Sequence, residues 1–338
     1  MRSSLALSLL TGTPFRIAKI RAGRARPGLM RQHLVALDAA ARIGSAEVAG
    51  AAIGSVELTF VPEAIRGGDY TFSIGGAGST TLVFQTVLYP LLLGARETST
   101  LRFEGGTHNP MAPPFDFLER AFLPLLARMG AEVEVAFERH GFYPAGGGAW
   151  TATIHPCAGL RRLDLLARGE VRSVEARALV AQIGGSVATR ELDVLAARLG
   201  WDRASLKPLV VQSHGPGNAL FAAVASENVT EVFTGFGEKG VSAESVAKRV
   251  GNEVARYLES GAPVGEHLAD QLLLPMALGK GGSIRTVRPS GHTTTHAELL
   301  RMFLGTAVAP VEEGADLFRI DVGKEGRGET TATLRSSA

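Results

Sequence analysis

Cysteine is almost missing from this chain: Cys157 is the single one in 338 residues. A lone cysteine cannot close an internal disulfide, so packing must hold the fold, and a reducing, cytoplasmic compartment is expected. Long apolar runs are missing as well. Nothing approaches the roughly 20 residues of a membrane span, so no membrane partner is expected. Met1-Arg2-Ser3-Ser4 before Leu5 to Leu10 has the outline of a short signal peptide, but the apolar part is brief and no small-residue cleavage site follows. Residues 2–11 read instead as a helix that starts abruptly and ends at Gly12. An excess of one charge is missing too: 35 basic against 33 acidic residues leave +2. Nucleic-acid binding would therefore rest on a local patch rather than on bulk charge. Also absent are a Gly-x-Ser-x-Gly elbow, a His-Glu-x-x-His pair and a Lys-x-Asp-Gly nucleotidyl-transfer motif, and the glycine loop at Gly75 to Thr81 is neither a Walker A loop nor a Gly-x-Gly-x-x-Gly fingerprint.

What is present is glycine in clusters, 41 residues without a repeat, in a chain that is 45% hydrophobic. That combination predicts a large packed core and tight backbone loops. Phe15 to Arg21 alternates as a strand. Lys19 to His33 is the densest positive stretch, with Arg21, Arg24, Arg26 and Arg31 around two glycines and Pro27. Pro27 suits a helix start, and Leu29, Leu34, Leu37 and Ala41 carry helical spacing onward. An arginine-rich loop feeding a helix N-terminus can bind phosphate, because guanidinium forks match phosphate oxygens. Gly75 to Thr81 opens a second helix to about Leu93, with Gln85 in its second turn. Two further glycine loops follow, Glu104 to Pro114 and Arg139 to Gly148, with a helix from Phe115 to Met129 between them. Strands are expected at 56–61, 69–74, 100–103, 131–137 and 149–154. Helices and strands so far succeed one another in units of similar size. From about residue 168 to 258 the texture changes to a compact α/β unit of inserted-domain size. The expected domains are 1–167 with 259–322, the insert 168–258, and a polar, disordered tail 323–338.

The stretch Val287-Arg288-Pro289-Ser290-Gly291-His292-Thr293-Thr294-Thr295-His296 presents a histidine between a turn and an apolar-periodic segment. His292 and His296 stand four apart, as metal-sharing helical pairs do. Three threonines between them are poor helix formers, however, and no third ligand is near in sequence. A structural or surface histidine is the plain alternative. An imidazole in water is mostly neutral at pH 7 and can attack phosphorus. If the chain handles nucleotides, histidine is the nucleophile at hand.

Arg139-His140-Gly141-Phe142-Tyr143-Pro144-Ala145-Gly146-Gly147-Gly148 resembles the signature of the RNA 3'-terminal phosphate cyclases. The resemblance runs in order through Ile20 to Arg24, Arg31-Gln32-His33, Gly105-Gly106-Thr107, Asn109-Pro110, Gly215 to Asn218, Leu268 to Gln271 and Pro289 to His292. It implies an α/β (α+β) fold of three repeats, each with two helices on a four-stranded sheet, plus a smaller inserted α/β domain. It also implies an ATP-dependent enzyme that turns an RNA 3'-phosphate into a 2',3'-cyclic phosphodiester. His292 would carry AMP covalently. Gln85, His267, Leu268, Ala269, Asp270 and Gln271 match ATP-contacting positions; Arg2, Arg21, Arg24 and Gln32 match positions near the phosphates of nucleotide or RNA end. Mg²⁺ or Mn²⁺ would offset triphosphate charge. The family usually begins with a strand and a Glu-Gly-Gly-Gly-Gln loop just before the position of Arg2, with the glutamate on the metal. This chain carries neither, so the expectation is a shortened N-terminus and no assigned metal ligand. His267 replaces a usual tyrosine and His296 a usual asparagine. The alternative class is a non-catalytic relative that binds RNA or assists ribosome assembly.

Overall fold

A computed structural model describes residues 1–324. The mixed α/β architecture comprises four sheets with helices packed on them. The first group is α1 (Arg2–Thr11), β1 (Phe15–Ile17), α2 (Arg31–Gly44), β2 (Glu47–Ala49) and β3 (Leu58–Val61), with strand order β1-β3-β2. The abrupt first helix is present, closed by Gly12 at φ 67. The expected strand to Arg21 stops at Ile17, because Lys19 and Arg21 take positive φ. Pro27 does not start a helix. The N–H of Gly28 is held by the Ile20 carbonyl, the Leu29 N–H donates to the Ser55 carbonyl, and the Gly54 N–H donates to the Leu29 carbonyl. That brace delays α2 until Arg31.

The second group is β4 (Asp69–Ser73), α3 (Thr80–Gly94), β5 (Ser99–Gly105), α4 (Phe115–Phe117), a π turn (Leu118–Phe122), α5 (Leu123–Arg128), β6 (Glu132–Arg139) and β7 (Gly148–His155). Its sheet runs β4-β5-β7-β6, parallel only between β4 and β5. The helix expected over 115–129 thus contains a widened turn. Pro124 lacks an N–H, and the Leu123 N–H reaches back to Leu118, so the ladder opens just where proline weakens it. α3 is buried on nearly every face, consistent with its almost wholly apolar sequence. Its start is pinned by Trp150, which stacks on Phe103 and donates its indole N–H to the Thr80 hydroxyl at 2.9 Å.

After β8 (Leu163–Leu165), the segment β9 (Val171–Ala181), α6 (Ser186–Leu199), β10 (Leu206–Val210), β11 (Gly217–Ser226), β12 (Thr230–Phe236) and α7 (Ala243–Ser260) forms a sheet of order β10-β9-β11-β12. α6 and α7 cover it around a separate core that includes Leu192, Leu195, Leu220, Val246, Val250 and Tyr257. The chain then continues through α8 (Glu266–Leu278), β13 (Gly282–Thr286), α9 (Gly291–Leu304), β14 (Thr306–Gly314) and β15 (Leu317–Lys324). These strands make a sheet of order β14-β15-β13-β8 with β8 returning as an edge. One large core joins the remaining helices and sheets. The tail expected to be disordered from 323 is corrected at its start, since Gly323 and Lys324 lie in β15, paired with Ala307 and Thr306. The rest of that expectation, 325–338, lies outside the described residues. No described helix is long and apolar enough to cross a membrane.

Candidate active site at converging helix starts

His292 lies in the first turn of α9, and the three threonines do not prevent the helix there. The reason is local satisfaction of orphan N-terminal groups. The Ser290 hydroxyl accepts the His292 N–H at 3.0 Å and donates to Asp270 Oδ2 at 2.7 Å. The Thr293 hydroxyl donates to Asp270 Oδ1 at 2.5 Å. Both oxygens of Asp270, on α8, therefore clamp the turn that presents His292. His292 itself is exposed.

The other expected residues gather from distant parts of the chain. Gln85 on α3 donates to the side-chain oxygen of Gln271 on α8, across 186 residues. Gln32, in the first turn of α2, lies against Gly78 of the glycine loop before α3. Arg31 donates to the Gly75 carbonyl of the same loop at 2.9 Å. Arg21 donates to the carbonyls of Arg26 and Gly28, so it braces its own turn. Arg2 opens α1, and burial lowers its affinity for a proton. Among the described residues Arg2 makes no ion pair of the kind that neutralises a guanidinium elsewhere in the fold, and the same holds for Arg21 and Arg24.

Two histidines report how these cations crowd. Burial, then the charges of Arg21 and Arg2, push the His33 imidazole down to about 4. His33 stays neutral and accepts the Met30 N–H at 3.0 Å, which helps start α2. Burial also lowers His296, against the pull of the Asp270 charge, with Arg2 among the cations that add to the lowering. Its Nε2 is buried without a hydrogen-bond partner. Arg2 thus stands between the α2 and α9 sides of one site. Helix starts carry partial positive charge, and here they meet several arginines without counter-ions. Chemically, this arrangement stabilises an anion next to an exposed imidazole.

Not every expected residue joins. Arg24 is exposed on its turn, tied to Arg21 only through its backbone N–H, which donates to the Arg21 carbonyl at 3.0 Å. Leu268 and Ala269 face the core with almost no exposed surface, so their side chains cannot line a ligand site. The helical period explains this: they continue the buried stripe of Leu272 and Leu273, while His267, Asp270 and Gln271 fall on other faces. His267 is exposed beside a crevice shared with Phe233, Tyr257 and Val287.

Among the described residues no trio of His, Cys, Asp or Glu side chains converges at the His292 turn, and the Asp270 oxygens there accept hydroxyl hydrogen bonds. The cluster with metal-ligand spacing among the described residues, Glu132, Glu134 and His155, lies on β6 and β7. The residues therefore do not fit a protein-held metal at this turn.

Sequence reasoning missed a second buried polar group. His108 Nε2 pairs with Asp116 Oδ2 at 2.9 Å, and Arg177 of β9 donates to the other oxygen of Asp116. Burial alone would raise Asp116, but the His108 hydrogen bond and the His108 and Arg177 charges hold it below the usual range. Burial and the His108 charge lower the neighbouring His140 to about 4. Arg120 of the π turn adds a bond to Glu175 on β9 at 3.0 Å. These contacts fasten the β9–β12 unit to α4 and the π turn. No motif announces them, since each partner is ordinary in its own stretch.

The comparisons with known proteins agree along the whole chain. The family model described as RNA 3'-terminal phosphate cyclase matches residues 1–309. A curated RNA 3'-terminal phosphate cyclase of Ectopseudomonas mendocina is 51% identical over 323 residues, covering 95% of this chain and 94% of its own. One from Ralstonia nicotianae is 52% identical over 324 residues, covering 95% and 93%. One from Koribacter versatilis is 49% identical over 314 residues, covering 93% and 88%. With the family model over residues 1–309 and relatives about half identical over nearly their whole length, the chain belongs to the RNA 3'-terminal phosphate cyclase family.

Proposed function

We propose that the chain uses ATP to convert an RNA 3'-phosphate into a 2',3'-cyclic phosphodiester through an adenylylated His292. The observation that carries the reading is the His292 turn, clamped by both oxygens of Asp270, on the helix whose His296 feels the Arg2 charge. An imidazole nitrogen of His292 attacks the α-phosphorus of ATP. The P–N bond forms as the bond to pyrophosphate breaks. AMP then passes to an oxygen of the RNA 3'-phosphate, and the P–N bond breaks. The vicinal 2'-hydroxyl attacks that 3'-phosphorus, loses its proton and expels AMP. Proximity favours this last step, because nucleophile and electrophile share one ribose. Arg2 and Arg21 offset charge on the phosphates, Gln32 sits beside the glycine loop, and the Gln85–Gln271 pair holds α3 against α8 at the nucleotide side. His267 stacks on or abuts the base. Mg²⁺ or Mn²⁺ would enter with the triphosphate and offset its charge.

The same reading extends to the architecture: three βαβαββ copies with an insert at 168–258. Its support is topological. The groups β4–β7 and β8 with β13–β15 both order their strands first-second-fourth-third. The group β1–β3 has the same order without a first strand. The segment between β8 and α8 has its own sheet and core. A cytoplasmic setting follows from the single cysteine.

The test is incubation with α-labelled ATP and Mg²⁺ or Mn²⁺, beside His292→Ala. The expected result is labelled protein, stable in alkali and released by acid, with none in the variant. An unlabelled wild type that still binds 3'-phosphorylated RNA would replace this reading with the non-catalytic one.

A further inference from the structure

α8 begins at Gly265, which has no side chain to cap the helix. The cap comes from elsewhere in the chain. Glu231 on β12, only 2% exposed, accepts the Gly265 N–H on Oε2 at 2.6 Å and the Val232 N–H on Oε1 at 3.1 Å. The fit is close: a Cβ on Gly265 would stand 3.0 Å from Glu231 Oε2. From the other side, the Gly265 carbonyl accepts the Ala269 N–H at 3.0 Å, and Val264 bridges Thr286 on β13. The start of α8 is therefore held between two units of the fold. The next turn carries His267, Asp270 and Gln271, the residues read above as facing nucleotide and His292. Glu231, Tyr257, Gly265 and His267 share one crevice, so the β9–β12 unit forms a wall beside His267.

We infer that Glu231 is a positioning residue for nucleotide binding: it caps α8 from the β9–β12 unit and sets where His267, Asp270 and Gln271 stand. The inference rests on the ATP reading. A carboxylate at a helix start also opposes the partial positive charge there, which favours the bond. Glu231 does not touch the reacting atoms. Its effect is on where the first turn of α8 sits, and so on the affinity for ATP more than on the chemical step.

The experiment measures the ATP dependence of protein adenylylation in the full chain, for wild type and for Glu231→Gln, Glu231→Asp and Glu231→Ala. Glu191→Gln serves as control, since Glu191 is a buried carboxylate of the same unit that bonds Asn218 and not α8. Glutamine can still accept the Gly265 N–H but turns its amide NH2 toward the Val232 N–H, so its KM for ATP should rise less than that of the alanine variant. Aspartate keeps the charge but withdraws it by one methylene. Aspartate and alanine should raise the KM roughly tenfold, the worth of about one buried hydrogen bond, with kcat changed less. The control should leave KM in place. Aspartate and alanine variants that lose melting temperature but keep the wild-type KM would reduce Glu231 to a structural role and overturn the inference. A wild type with no adduct would remove the ATP reading itself, a separate result visible before any variant is compared.

Discussion

Asp270 was expected at the nucleotide, and its two oxygens are spent on Ser290 and Thr293 of the His292 turn. A residue in that position governs aim. Removing it leaves His292 chemically intact on a loosened helix start, and a displacement near 1 Å can cost about a hundredfold in rate. Asp270→Ala should therefore slow adenylylation by roughly two orders of magnitude while circular dichroism stays that of wild type. Single-turnover labelling at saturating ATP checks this; an unchanged rate would separate the clamp from the chemistry. Ser290→Ala loses a cap worth about 1 kcal/mol and should act in the same direction, more weakly.

The helix starts bring the site together, and the glycine loops set how closely they pack. Gly146 has φ 72, and a Cβ there would stand 2.3 Å from the Gly76 carbonyl oxygen. Gly146→Ala should thus force the 139–148 loop off the loop that precedes α3. We expect a melting temperature several degrees lower and weaker ATP labelling per folded molecule, from strain of about 1–2 kcal/mol plus the backbone clash. A variant that melts with wild type would show that the loop relaxes freely. At this scale much was legible beforehand. The expected strand at 69–74 and the helix opened by Gly75 to Thr81 and running to about Leu93 match β4 and α3 within a few residues. Pro27 misled because a tie between Leu29 and Gly54 overrides its local preference. The site divided in the same way. The Gln85–Gln271 pair could be anticipated through the family pattern, and the two side chains meet. The Glu231 cap and the Asp116–Arg177 bond could not. They join residues whose own neighbourhoods carry no signal, and only the folded contact gives them meaning.

Across the molecule, buried ionisable groups shape the response to pH in opposing ways. Burial raises Glu191 from 4.5 to about 7, with Asn218 and Arg190 pulling against it. Below pH 4.5 the folded and unfolded chains both hold that proton. Between 4.5 and about 7 only the folded chain keeps it, so stability falls as pH rises, by on the order of 3 kcal/mol in full. His33 and His140, both lowered to about 4, act the other way: their contribution is complete above about 6.5 and fades as pH falls toward 4. Glu191→Gln should remove one descending limb. Its melting temperature relative to wild type should climb between pH 5 and pH 7. A constant difference would mean that Glu191 ionises as an exposed glutamate does.

The hydrogen bond between Gln85 and Gln271 also has a meaning in time. A ribosome that has made α3 must still add α8 before that bond can form, and loop closure over such a span comes late. Synthesis therefore keeps the unfinished enzyme silent: a nascent chain halted before α8 has neither Asp270 nor His292 and should take no label from ATP, while the completed chain acquires activity in a single step near release.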